Sequence, residues 1–155
     1  MITYRRATAE DAPLIHTLLL ENATNDGGKI AGTEATLLLH GFGPHPLFRA
    51  VIAADDRPLG LSLFFPEYSS WRGQAGVFIQ DLYLRPTARG QGIGRGLLIA
   101  TLHHAADWNP HFITLMVQQK NANALGFYTA LGFAPRAQSN QLILAGEGLG
   151  TLTAP

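Results

Sequence analysis

Apolar and polar positions along this chain repeat with two different periods, and the switches between them mark out the elements. Ile2 to Ala7 reads as a short strand. Thr8 then begins a Thr-x-x-Asp pattern ending at Asp11, close to a capping box with Asp in place of Glu. Leu14, Ile15, Leu18 and Leu19 follow at helical spacing and predict a first helix to about Glu21. Asn22 to Gly32, around Asn25-Asp26-Gly27-Gly28, predicts a loop. Thr33 can cap a second short helix through His40, with Gly41 placed to end it. Glycine and proline in Gly41-Phe42-Gly43-Pro44-His45-Pro46 keep that stretch irregular.

Leu47 to Ala54 and Leu59 to Phe65 are apolar runs on either side of Asp55-Asp56-Arg57-Pro58, a hairpin by its turn chemistry. A loop from Pro66 to Gly73 leads into a strand from about Val77 to Leu84, which Pro86 stops. A Gly-rich turn then opens a helix from about Gly92 to Asp107, with Ile93, Leu97, Leu98, Thr101, Leu102 and Ala105 as its buried stripe. After the break at Asn109-Pro110 come a strand from Phe112 to Val117, a helix from Ala122 to Leu131 and a last strand from Gln141 to Ala145. With no repeat and no linker, the chain reads as one domain over 1–145 and a flexible, Gly-rich tail over 146–155. The element order is mixed α/β (α+β), antiparallel in its front half with a strand–helix–strand crossover behind.

Composition narrows the partners. The 155 residues are 46% hydrophobic and 14% charged, as in a compact globular protein. Lys+Arg and Asp+Glu both number 11, so no basic excess points to a nucleic acid. The absence of cysteine removes disulfides, Cys-based metal sites and a thiol nucleophile, and fits a reducing compartment. No apolar run approaches the roughly 20 residues of a membrane span, and the start of the chain has no signal-type apolar region. The expectation is a cytoplasmic protein with no membrane partner. His40, His45, His103 and His104 have no spacing that predicts a metal site.

The candidate chemistry begins where the strand Ile79-Gln80-Asp81-Leu82-Tyr83-Leu84 feeds the turn Thr87-Ala88-Arg89-Gly90-Gln91-Gly92-Ile93-Gly94-Arg95-Gly96. A helix opened by glycines presents N–H groups that have no intrahelical partner, and its dipole adds partial positive charge. Such a turn can hold a phosphate or pyrophosphate, and Arg89 and Arg95 add formal charge. The dinucleotide fingerprint fails, because Arg95 and Leu97 stand three after Gly92 and Gly94, and no Lys-Ser/Thr pair makes a P-loop. Arg89-x-x-Gly92-x-Gly94 instead resembles the coenzyme A pyrophosphate loop of the Gcn5-related N-acetyltransferase (GNAT) superfamily.

A second block, Asn121-Ala122-Asn123-Ala124-Leu125-Gly126-Phe127-Tyr128-Thr129-Ala130-Leu131-Gly132-Phe133, matches that superfamily's N-x-x-A-x-x-x-Y-x-x-x-G-F signature at every fixed position. Asn121, Ala124 and Tyr128 share one helical face. By themselves they read equally as a cap and a core aromatic. Further segments, Gly41 to Phe48, Phe65 to Gly73 and Asp81-Leu82-Tyr83, resemble the diamine (spermidine/spermine) N-acetyltransferase branch.

The resemblance implies a central mixed, mostly antiparallel sheet of six to seven strands flanked by about four helices. It implies acetyl-CoA as cosubstrate, the primary amine of a small molecule as acceptor, direct transfer in a ternary complex, and a homodimer. Leu82, Tyr83 and Leu84 would pair with the pantetheine arm as a further strand would, one N–H there polarising the thioester carbonyl. Arg89, Gly90, Gln91, Gly92, Ile93, Gly94 and Arg95 would hold the pyrophosphate, with Asn121 and Ala124 on the pantetheine. The Tyr128 phenol would protonate the departing sulfur.

Two positions depart from the branch. Gln80 stands where the branch places a glutamate, and an amide takes no proton, although its carbonyl can orient a water or the incoming amine. Ser69 and Ser70 stand where an acid precedes the tryptophan. Asp81, Glu67 or a water chain could accept the proton, Asp81 reading equally as a stabiliser of the strand's end, with Trp71 as a further acceptor-side candidate and Glu21 and Asp26 as acids of the first loop. These departures point away from a polyamine acceptor.

Overall fold

The computed structural model describes residues 1–136 together with 142, 144, 145, 147, 151 and 152. The chain divides into two compact units, Met1–Met116 and Val117–Pro155.

In the first unit, five strands form one sheet in the order β1-β2-β3-β4-β5. They are β1 (Thr3–Arg6), β2 (Arg49–Ala54), β3 (Pro58–Ser69), β4 (Gln74–Leu84) and β5 (Ile113–Leu115). The first four pair antiparallel, and β5 joins β4 in parallel after a crossover through a helix. The sheet thus has five strands among the described residues, not the six to seven expected. The strand predicted over Gln141–Ala145 falls on a stretch where 141 and 143 lie outside the described residues.

The middle strands are buried on both faces, which explains their near-continuous apolar sequence. One face carries Ala50, Ile52, Leu61, Leu63 and Tyr83 against Ile15 and Leu18 of α1 (Ala12–Asn25) and Leu37 of α2 (Glu34–Phe42). The other face meets α3 (Ile93–His104), whose Leu97 and Thr101 are fully buried. There the Thr101 hydroxyl donates to Ser62 Oγ at 2.8 Å, so two buried polar groups satisfy each other. Before α1, the Thr8 N–H donates to Asp11 Oδ2 at 2.8 Å, as the capping pattern predicts. Arg5 grips the same carboxylate with both guanidinium nitrogens and holds it below the usual carboxylate range.

Several boundaries differ from the sequence reading: β4 starts earlier, at Gln74, α3 ends at His104 instead of Asp107, β5 is only Ile113–Leu115, and three further differences have a visible cause. α1 runs on to Asn25, because Glu21 and Asn22, read as the helix end and the start of a loop, find partners on β4 (Tyr83, Asp81) and just after it (Arg85). α2 continues through Gly41 to Phe42; that glycine is required by space, since a Cβ there would enter the Phe48 ring. The first half of the loop expected over Pro66 to Gly73 is strand, with Glu67, Tyr68 and Ser69 paired to Gly76, Ala75 and Gln74. Pro66 does not stop β3, because β2 ends its pairing at Phe64 and leaves β3 an edge there, where a missing N–H costs nothing.

The second unit contains α4 (Ala122–Ala130). Among the described residues no helix is long and apolar enough to cross a membrane.

Candidate active site

β4 and β5 pair only from Val77 to Ile79, so beyond Ile79 the β5 side of β4 is an open edge. The β3 register decides which groups face that edge. The Arg85 N–H donates to the Leu59 carbonyl at 2.9 Å, and antiparallel hydrogen-bonded pairs recur every second residue. Tyr83 opposite Leu61 and Asp81 opposite Leu63 therefore turn their backbones toward β3. Leu82 and Leu84 turn theirs outward, to the side on which β4 has no paired strand beyond Ile79. Of the three residues expected to pair with the pantetheine arm, Leu82 and Leu84 lie on the open edge. Tyr83 instead faces α1, its hydroxyl donating to Glu21 Oε2 at 3.3 Å. The Leu84 carbonyl accepts from Arg89 Nε at 3.0 Å, which ties the strand end to the turn that follows.

That turn has the geometry of an anion cradle. Gly90 and Gly92 have φ of 74° and 77°, left-handed values that side-chain-bearing residues rarely adopt, and a Cβ at either would point into open space. Gly92 is the N-cap of α3 and no side chain caps that end, so the first-turn N–H groups are left for a ligand. Gln91 bends back to donate to the Thr87 carbonyl at 2.9 Å, and Arg95 is exposed in the first turn of α3. Ile93 and Gly94 are buried and anchor the turn. The residues present fit a pyrophosphate followed by an extended arm.

At the head of the open edge, β4 carries a bulge. Leu63 faces Asp81 while Phe64 faces Ile79, which leaves Gln80 as the extra residue. Gln80 is exposed and Asp81 half-buried. Asp81 Oδ1 accepts from Asn22 Nδ2 of α1 at 3.2 Å. Burial pushes the Asp81 carboxyl up, Asn22 pulls it down, and the charge of Asp26 pushes it up again. Glu21, expected as a loop acid, belongs to α1 and is gripped by Arg85 through Nε at 2.9 Å and Nη2 at 2.7 Å. Arg85 holds Glu21 below the usual carboxylate range. Asn22 and Arg85 were missed in the sequence; one sits in a predicted loop, and the other is an ordinary residue after a strand.

The remaining acceptor-side candidates are not all brought together. Glu67 lies farther down β3, its carboxylate accepting from the Thr114 hydroxyl of β5. Trp71 is fully exposed at the tip of the β3–β4 hairpin, about 20 Å along the strand from Gln80 at the usual rise per residue. It does not line the bulge, because β3 and β4 stay paired out to Ser69 and Gln74 and carry the turn away from it.

In the second unit, α4 is capped at both ends by the fixed residues of its motif. Asn121 Oδ1 accepts the Ala124 N–H at 3.1 Å, a helix cap that leaves the amide nitrogen of Asn121 as its donor. At the other end the Gly132 N–H donates to Thr129 O at 3.0 Å and the Phe133 N–H to Tyr128 O at 3.0 Å. This is a Schellman closure, with Gly132 at φ 93° and the Phe133 ring 5.3 Å from Tyr128. Gly132→Ala should therefore cost about 1–2 kcal/mol for a left-handed non-glycine residue, read as a lower urea midpoint. An unchanged midpoint would mean that the cap does not hold this end. Tyr128 is buried, and burial pushes its phenol up to about 12, so it stays protonated at neutral pH.

The profile of the acetyltransferase (GNAT) family matches residues 14–133. Over 128 residues the chain is 31% identical to a thialysine N-epsilon-acetyltransferase of Bos taurus, covering 77% of this chain and 74% of that protein. It is 34% identical over 73 residues to the L-ornithine N5-acetyltransferase NATA1 of Arabidopsis thaliana, 47% of this chain and 32% of that one. An integron cassette protein from the mobile metagenome of V. cholerae superposes with a TM-score of 0.80 at 20% identity, covering 99% of this chain and 98% of that one, a likeness of fold. An open strand edge leading into an uncapped helix, both inside the matched span, leaves one assignment: the chain belongs to the GNAT acetyltransferase family, on its diamine-acetyltransferase branch, and is an N-acetyltransferase with an acyl-coenzyme A donor.

Proposed function

We propose that this protein moves an acetyl group from acetyl-CoA to a primary amine of a small molecule, by direct transfer while both are bound. The observation that carries the reading is the open edge of β4 at Leu82 and Leu84 running into the uncapped N-terminus of α3. Bound there, acetyl-CoA supplies an acyl group activated as a thioester. Gly90 to Arg95 hold the pyrophosphate through N–H groups and charge, and the outward N–H groups of β4 align the arm and polarise the carbonyl. Asn121 adds its amide nitrogen to the pantetheine. Tyr128 donates a proton to the leaving sulfur, a role supported by a phenol that keeps its proton well above neutral pH.

The relatives that act on thialysine and L-ornithine support an amino-acid-sized amine as acceptor. Purified protein given acetyl-CoA with thialysine, L-ornithine or spermidine should release free thiol only when an amine is present. A second reading, a module that binds acyl-CoA without turnover, is favoured by the amide at Gln80. It predicts thermal stabilisation by CoA with no thiol released by any amine, and that result would replace the proposal.

A further inference from the structure

We infer that Asp81, held in place by Asn22 of α1, accepts the proton of the incoming amine, and that Gln80 beside it is not the proton acceptor. The inference rests on the amine acetyltransferase reading above and adds the group that makes the amine nucleophilic.

The acids around the bulge are few and differently engaged. Glu21 is bound by Arg85 and Tyr83, and Glu67 by Thr114. Among the described residues Asp81 accepts one hydrogen bond, at Oδ1, and its other oxygen, Oδ2, has no partner there. Its position follows from register. Asp81 pairs with Leu63 and points to the α1 face, one residue before the outward backbone of Leu82. A carboxylate there stands next to the edge at which the thioester arm is read. The bulge leaves Gln80 exposed, and its amide has no accessible proton affinity.

The surroundings of Asp81 suit a proton acceptor. From α1 come Asn22 and, at its C-terminal end, Asp26. The Glu21–Arg85 pair beside Tyr83 is charge-neutral. The paired strand β3 presents Leu61 and Leu63, which are apolar. Burial raises the proton affinity of the carboxyl above that of an ordinary aspartate, while Asn22 keeps it from rising further.

The step balances. The acceptor arrives as an ammonium and Asp81 takes one proton. The nitrogen lone pair bonds the thioester carbonyl carbon as the carbon–sulfur bond breaks. The second proton lost from nitrogen is matched by the one that the departing thiolate takes up. Asp81 then gives its proton to solvent, so each turnover yields an amide, a thiol and one H⁺.

The test uses the full chain with L-ornithine or thialysine, whichever turns over, and three variants. Asp81→Asn keeps an acceptor for Asn22 and should lower kcat/KM by about 10²–10⁴-fold, as for loss of a general base, with CoA stabilisation intact. Wild-type kcat/KM should fall on the acid side as Asp81 is protonated. Asn22→Ala removes the bond that lowers the carboxyl and should move this limb to higher pH. Asp26→Asn removes a like charge and should move it to lower pH. Independently of turnover, a carboxylate carbon signal lost in Asp81→Asn should titrate above the usual aspartate range in the free protein and shift the same two ways. Asp81→Asn active within threefold, or a raised KM with an unmoved limb, would overturn the inference while leaving the acetyltransferase reading intact. No thiol release from wild type would instead sink that reading.

Discussion

Tyr128→Phe should lower kcat by about 10²–10⁴-fold, the usual worth of a positioned general acid, while CoA affinity changes little. The substitution removes one oxygen. The ring keeps its edge-on contacts with Phe127 at 5.1 Å and Phe133 at 5.3 Å. Both caps of α4 use backbone groups or Asn121, so the helix does not depend on the phenol. Steady-state kinetics with acetyl-CoA and L-ornithine, set beside the CoA dissociation constant, measures the effect. A kcat within threefold of wild type would remove Tyr128 from the proton path. The phenol also predicts an alkaline signature. Its folded-state value of about 12 lies above the unfolded value of about 10, so the unfolded chain loses this proton first as pH rises. Stability should therefore fall between about pH 10 and 12, and Tyr128→Phe should flatten that fall.

Phe64→Ala should cost about 3–5 kcal/mol, a large part of the stability of a domain this size. Phe64 is fully buried in β3 and meets Trp108 edge-on at 6.0 Å. Above that indole lies the Arg49 guanidinium, 4.1 Å from the ring. Arg49 in turn donates to the His104 carbonyl at 2.8 Å and to both oxygens of Asp107. The benzyl group therefore supports the place where β2 clamps the C-terminal end of α3. Urea denaturation followed by tryptophan emission reads the loss. Trp71 is exposed in the folded state, so the change on unfolding comes from Trp108. A midpoint shift worth under 1 kcal/mol would show that the cavity closes by repacking.

Both predictions rest on residues whose importance was unequally visible. Tyr128 stands in a motif that is matched at every fixed position. Phe64 is one apolar residue in a run of apolar residues, and nothing in the run marks it out.

The sequence determined what depends on neighbours along the chain. Thr8 and Asp11 form their box, Thr33 caps α2 by accepting the Thr36 N–H, and Gly90-Gln91-Gly92 builds the turn before α3, because each uses backbone groups within four residues. The signature around α4 is legible for the same reason: Asn121, Gly132 and Phe133 close the two ends of one helix. The family, and the Gly-rich turn proposed to hold the coenzyme, were therefore readable before any tertiary contact was known. What the tertiary structure decided is long-range. The α1 residues Glu21 and Asn22 meet Arg85 and Asp81, some sixty residues on, and those bonds extend the helix past its predicted end. Pro66 sits within a strand because β2 stops at Phe64, which no local propensity encodes. Trp71 stands at a distant hairpin tip and the backbone of Tyr83 faces β3 because register is a property of two strands together. The place of Asp81 follows from the same cause, since a bulge opposite Leu63 and Phe64 sets Gln80 apart and leaves Asp81 against α1.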